Sequence, residues 1–168
     1  MNDDIQTIID DWLYDSKIVK YNPLRMQILE SYIEKNKQSY QVLYRGMYFH
    51  FDNYFRSVHD LKKKYHSPKE VPIINAPIGS IYSFDEVCSF TPDKGLAKLY
   101  SNNLYLKDAD FQLLLEIKNL KGLLITDSLH YDGLTTDADI EILAKPSIFI
   151  SDKEMLSDNS MYIRAFEI

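Results

Sequence analysis

Three short runs of this 168-residue chain carry residue types that can do chemistry. The first is Leu43-Tyr44-Arg45-Gly46, an arginine set in an apolar strand pattern. It reads either as a strand-end cation facing a surface carboxylate or as an anion clamp, because a guanidinium donates in a planar fork to phosphate oxygens. Gly46 beside it allows the backbone to approach a ligand closely. The second run is Ser89-Phe90-Thr91-Pro92. Strand alternation gives Ser89 and Thr91 one face and Phe90 the other. Thr91 also fits as the N-cap of a helix starting at Pro92, and the Ser89 hydroxyl can orient a neighbouring carboxylate. The third run is Asp139-Ile140-Glu141-Ile142-Leu143. With Ile140 and Ile142 in the core, Asp139 and Glu141 share the opposite face, their Cβ atoms roughly 6–7 Å apart. Such a pair is either a solvated strand face or a catalytic pair. In the catalytic case one carboxylate stabilises positive charge developing on a sugar, and the other accepts a proton from, or positions, the incoming nucleophile.

The elements that must position these runs follow from periodicity. Residues 1–40 read as helical. Ile5, Ile8, Ile9, Trp12 and Leu13 fall on one face, with Asn2, Asp3 or Asp4 as cap. Asn22-Pro23 starts a second helix, on which Leu24, Ile28, Tyr32 and Ile33 continue the stripe. Strand character begins at Gln41 and runs to Phe49, and Tyr54–Tyr65 returns to helix spacing. A Pro-containing connection leads to a strand over Ile78–Phe84, and the Leu96–Tyr100 stretch is helical. From there short strands are expected at Phe111–Ile117, Leu123–Thr126, Ile140–Ala144, Ser147–Ile150 and Tyr162–Glu167. Turns fall at Asn119, Gly122, Asp132-Gly133, Pro146 and Asp158-Asn159. Helices first and strands late predict an α+β domain with a largely antiparallel sheet.

Composition narrows the function. A hydrophobic share of 45% with 26% charged residues is that of a globular chain, and its length is that of a single domain. A net charge of −6 argues against a general nucleic-acid binder. Lys62-Lys63-Lys64-Tyr65-His66 is the one basic run, read as a solvated helix face or as a patch steering an acidic target. The single cysteine, Cys88, reads as a core thiol. His50, His59, His66 and His130 lack zinc-like spacing, so no metal is expected. No GxGxxG, GxxxxGK[ST] or GxSxG run is present. The first residues lack the basic start and apolar run of a signal peptide, and no apolar stretch approaches the ~18 residues of a membrane span. The expectation is a cytoplasmic protein without a membrane partner.

In order and spacing, Arg45, then Ser89 with Thr91, then Asp139 with Glu141, the chain resembles the Arg–Ser–Glu clade of the ADP-ribosyltransferases. Its size is similar to that of small phage-encoded and bacterial toxin-like members. The resemblance spans about residues 41–168 as an NAD-binding, catalytic β core, with residues 1–40 as the helical N-terminal part. It implies one domain built as a split β-sheet sandwich with N-terminal helices. It also implies cleavage of NAD, a co-substrate, at the nicotinamide–ribose bond and transfer of ADP-ribose to a macromolecule. By resemblance, Arg45 grips the NAD phosphates or the nicotinamide ribose, and the Gly46 backbone holds the nicotinamide amide. Ser89 orients Glu141 and helps fix the nicotinamide side, and Thr91 supports that strand. Phe90 either packs under the site or stacks on nicotinamide. Glu141 binds the ribose 2′-hydroxyl and stabilises the oxocarbenium. Asp139 stands at the acceptor-selecting position, where glutamate goes with arginine acceptors and glutamine with other side chains or a nucleobase. The loop Leu129–Ala138 faces the target, with Tyr131 as its aromatic probe. The acceptor is thus a protein side chain, arginine among them, or alternatively RNA or DNA. An antitoxin-type inhibitory protein is a further implied partner, and a non-catalytic partner-binding module on the same fold is the remaining alternative.

Overall fold

In the computed structural model, residues 4–49, 72–101, 111–125 and 140–168 are described. Helix α1 (Ile5–Tyr14) starts at Asp4, whose backbone is extended and whose carboxylate accepts the Gln6 amide at 3.3 Å. Its buried face is Ile8, Ile9 and Trp12. Asp15 ends α1 and caps α2 (Ser16–Lys20), accepting the Lys17 amide. Asn22 and Pro23 open α3 (Pro23–Asn36) as the sequence predicts, with Asn22 Oδ1 accepting the Arg25 amide at 3.2 Å. Arg25 is itself buried and pairs with Asp11 at 2.5 Å, tying α3 to α1.

Strand β1 (Gln38–Phe49) begins three residues earlier than its apolar pattern shows. After it come α4 (Pro72–Asn75), β2 (Ile81–Ser83), β3 (Cys88–Phe90), α5 (Lys94–Ser101), β4 (Phe111–Ile125), β5 (Glu141–Ala144), β6 (Ser147–Ser157) and β7 (Ser160–Glu167). The helix expected over Tyr54–Tyr65 lies outside the described residues, with the Lys62–His66 run and all four histidines.

The two strands expected at 111–117 and 123–126 are one continuous strand in the structure. β4 runs through Asn119, which adopts φ 57°, a left-handed conformation that asparagine tolerates better than most residues. Gly122 lets it continue beside β5: a Cβ there would overlap the Ile142 side chain and come within 3.0 Å of the Leu143 carbonyl oxygen. The turn residues of the sequence therefore mark a bend inside a strand. The bend has an architectural result. β4 pairs antiparallel with β1 on both sides of the bend, from Phe111 to Gly122, and parallel with β7 only before it, over Gln112–Lys118; after it, Leu123–Ile125 pair with β5. One long strand thus belongs to both halves of a split sheet, β2-β6-β7-β4-β1 on one side and β4-β5-β3 on the other.

Two apolar layers result. Leu43, Phe49, Phe84, Phe90, Leu115, Ile142 and Ile163 fill the space between the halves. On the outer face of the smaller half, Val87, Leu123, Ile125 and Leu143 pack against Ile8, Trp12, Leu29 and Ile33 of the helices. No described helix is long and apolar enough to cross a membrane.

Candidate active site

Strand register builds the site. Ser89 pairs with Leu143, and Glu141 stands two residues before Leu143 on the same strand. The two polar side chains are therefore diagonal neighbours on one face, within reach of each other. The Ser89 hydroxyl donates to Glu141 Oε1. Both residues are half-buried, on the face that the helices cover.

Arg45 arrives from the other half of the sheet. The Tyr44 and Thr91 backbones bond each other in both directions, at 2.8 and 2.9 Å, and this bridge brings β1 alongside the exit of β3. Arg45 Nη1 then donates to the Ser89 carbonyl at 2.9 Å. A guanidinium has five N–H donors, so this bond uses part of its capacity. Because the Tyr44 backbone faces Thr91, alternation turns the Gly46 peptide groups toward that same edge.

Gly46 has a packing reason as well. Helix α5 crosses directly above it, and a Cβ would overlap the Ala97 carbonyl oxygen and lie 2.8 Å from the Ser101 nitrogen. Thr91 is buried, at 7% exposure, and its hydroxyl accepts the Asp93 amide at 3.1 Å. Asp93, not Thr91, bonds into the first turn of α5, accepting the Leu96 amide at 3.0 Å, and the helix starts at Lys94, two residues after the expected Pro92. Phe90 is 2% exposed and packs edge-on against Phe84, with ring centroids 5.8 Å apart. Its ring lies in the core, on the face of β3 opposite the Ser89 side chain. Asp139 and Tyr131 lie outside the described residues.

One neighbour of Glu141 is absent from the three sequence runs. Trp12 of α1 donates its indole N–H to Glu141 Oε1 at 3.1 Å, across 129 positions of sequence. Its apolar periodicity marked it only as a helix-face residue. The available signal was chemical, since a buried indole nitrogen requires an acceptor.

No family profile and no curated protein matches the sequence. Solved structures do match. The Vis toxin of Vibrio splendidus, an ADP-ribosyltransferase solved in complex with agmatine, aligns over 98% of this chain and 74% of its own, with a TM-score of 0.63 and 15% identity. A protein from S. aureus solved with NAD aligns over 98% and 86%, with a TM-score of 0.54 and 13% identity. An ADP-ribosyltransferase from Clostridium botulinum aligns over 97% and 85%, with a TM-score of 0.53 and 14% identity.

The chain has the ADP-ribosyltransferase fold.

In this ADP-ribosyltransferase fold, Arg45, Ser89 and Glu141 come from three strands that sequence order keeps far apart, and the structure joins them through two hydrogen bonds. The ADP-ribosyltransferase architecture also leaves a second polar cluster on the far face of the larger half-sheet. There Arg164 contacts Asp152 at 2.7 Å and Glu116 at 3.6 Å and lies 4.4 Å from the Tyr162 ring centroid. Burial, then a hydrogen bond to Glu116, pushes the Tyr162 phenol up to about 12. Tyr44 beside it is also raised, first by burial and then by the charge of Glu116.

Proposed function

We propose that this chain is a mono-ADP-ribosyltransferase that breaks the nicotinamide–ribose bond of NAD and transfers ADP-ribose to a macromolecular acceptor. The observation that carries the proposal is the Ser89 hydroxyl held on the Glu141 carboxylate, with the Arg45 guanidinium on the Ser89 carbonyl, within an ADP-ribosyltransferase fold. The NAD present in the S. aureus structure supports the choice of donor.

The chemistry matches the residues. When the C1′–N bond breaks, its electron pair stays on the pyridinium nitrogen, so nicotinamide leaves neutral and needs no acid. The ribose is left as an oxocarbenium ion. A half-buried carboxylate facing that ion supplies the charge it lacks, and fixed dipoles are worth more there than in water. Glu141 takes this role, and Ser89 keeps its carboxylate oriented. Arg45 grips the donor through guanidinium bonds to phosphate or ribose oxygens, and the Gly46 peptide, turned toward the same edge, receives the nicotinamide amide. The acceptor atom then bonds C1′ and releases a proton, which Asp139, two residues before Glu141, is placed in sequence to accept.

The acceptor we favour is a guanidinium-bearing protein side chain. Vis was solved in complex with agmatine, a guanidino compound, and a carboxylate at position 139 is complementary to that cation.

The test is nicotinamide release from NAD, with and without arginine-rich protein. The wild type releases nicotinamide, more with acceptor present, and Glu141→Gln lowers the rate by at least about 100-fold while leaving the fold intact. Normal turnover by that variant would refute the assignment of the site. Asp139→Ala should impair transfer more than NAD cleavage.

A further inference from the structure

We propose that Trp12 is a positioning residue for Glu141: the N-terminal helical layer holds one carboxylate oxygen through the Trp12 indole N–H and leaves the second for the reacting sugar. The inference rests on the proposed function, in which Glu141 does the chemistry.

Three observations carry it. The first is convergence. Ser89 reaches Glu141 from β3 and Trp12 reaches it from α1, and both donate to the same oxygen, Oε1. A single donor leaves a carboxylate free to pivot. Two donors at one oxygen from two different elements fix the plane of the group, so the direction of Oε2 is set before substrate arrives. Pre-set orientation of this kind lowers a barrier without tightening substrate binding.

The second is the way the indole itself is held. Trp12 is 4% exposed. Lys20 of α2 lies 5.3 Å from the centroid of its ring, and the same Lys20 pairs at 3.5 Å with Glu86, three residues before Ser89. The indole is thereby pinned between a helix and the lead-in to the strand that carries the other donor. Helix and strand cannot shift independently without disturbing both bonds to Glu141.

The third is residue type. The Ile8–Ile9–Trp12 face of α1 is otherwise purely apolar, and an aliphatic or phenyl side chain would satisfy its packing. A buried indole N–H is costly without an acceptor. Here its acceptor is the one carboxylate that the site depends on.

Trp12 is the only tryptophan of the chain, so its signals are read without interference. The test combines kinetics with the single indole N–H resonance in a proton–nitrogen NMR spectrum of the full chain. Trp12→Phe keeps an aromatic ring and removes the donor. It is expected to lower kcat for nicotinamide release by roughly tenfold or more, the usual worth of a hydrogen bond to a charged group, with KM for NAD changed less than about twofold. Glu141→Gln leaves Trp12 in place and exchanges its charged acceptor for a neutral one, and the indole resonance should move. A folded Trp12→Phe with wild-type kcat, or a loss confined to KM, overturns the proposal. So does an indole resonance that ignores Glu141→Gln, which decides the matter even where Trp12→Phe fails to fold. An active Glu141→Gln instead removes the catalytic reading beneath the proposal, and the two failures are told apart by which variant keeps its turnover.

Discussion

Replacing Gly46 by alanine separates the two roles that this glycine combines. The added Cβ would overlap the Ala97 carbonyl oxygen and sit 2.8 Å from both the Ala97 carbonyl carbon and the Ser101 nitrogen, where ordinary contact begins at 3.4 Å. All three atoms are helix backbone, so no side-chain rotation relieves the overlap, and α5 must lift from β1 or β1 must twist. Overpacking of this kind costs about 1–3 kcal/mol, and an immovable backbone obstacle places the cost toward the upper end. The displacement also reaches the site. Asp93 caps α5 while its amide is held by Thr91, and Thr91 bridges Tyr44 beside Arg45. Urea denaturation of Gly46→Ala should therefore show a loss of about 2–3 kcal/mol, with nicotinamide release falling at least about tenfold per folded molecule. Ala97→Gly should not rescue it, because the obstructing atoms remain. Wild-type stability in Gly46→Ala, or rescue by Ala97→Gly, would refute the close helix approach. A destabilised variant with full turnover per folded molecule would show that the glycine serves packing alone.

Two further outcomes follow from the geometry. Arg45→Lys keeps the charge but loses the planar fork and the 2.9 Å bond to the Ser89 carbonyl; KM for NAD should rise by about tenfold in steady-state kinetics, with a smaller effect on kcat. Tyr162 keeps its proton to about 12 in the folded protein, whereas the unfolded chain loses it near 10. The stabilisation this gives is complete below about pH 10 and is lost as pH rises from about 10 to about 12. Unfolding free energies measured from about pH 9 to 12 should depend on pH differently in Tyr162→Phe, which lacks this titration: the steep change the phenol contributes across that window in the wild type should be missing.

Local physical chemistry is what sequence records best. Asp4, Asn22 and Pro23 act within a few residues, so their helix starts were readable. The alternation Ile140-Glu141-Ile142 told core from polar face without any knowledge of partners, and Ile142 is indeed buried beneath Glu141. Asn119 and Gly122 misled because a turn residue reports a backbone conformation and not its purpose. The same left-handed φ that ends a strand elsewhere here bends one strand from one half-sheet into the other. Thr91 misled in a smaller way: threonine and aspartate both suit an N-cap, and the choice of Asp93 came from where the chain leaves β3.

Residue types by themselves determined the α+β class and the helices that precede the first strand, and they marked Arg45, Ser89 and Glu141 as candidates, because each type carries its chemistry wherever it stands. Tertiary structure decided what those types meet. Register made Ser89 and Glu141 diagonal neighbours, the Tyr44–Thr91 bridge delivered Arg45, and the helical layer brought Trp12 to the same carboxylate across 129 positions. Contacts at that separation depend on how sheets and helices pack against each other. No local pattern of residues encodes that packing, so Trp12 as a partner of Glu141 became visible only in the fold.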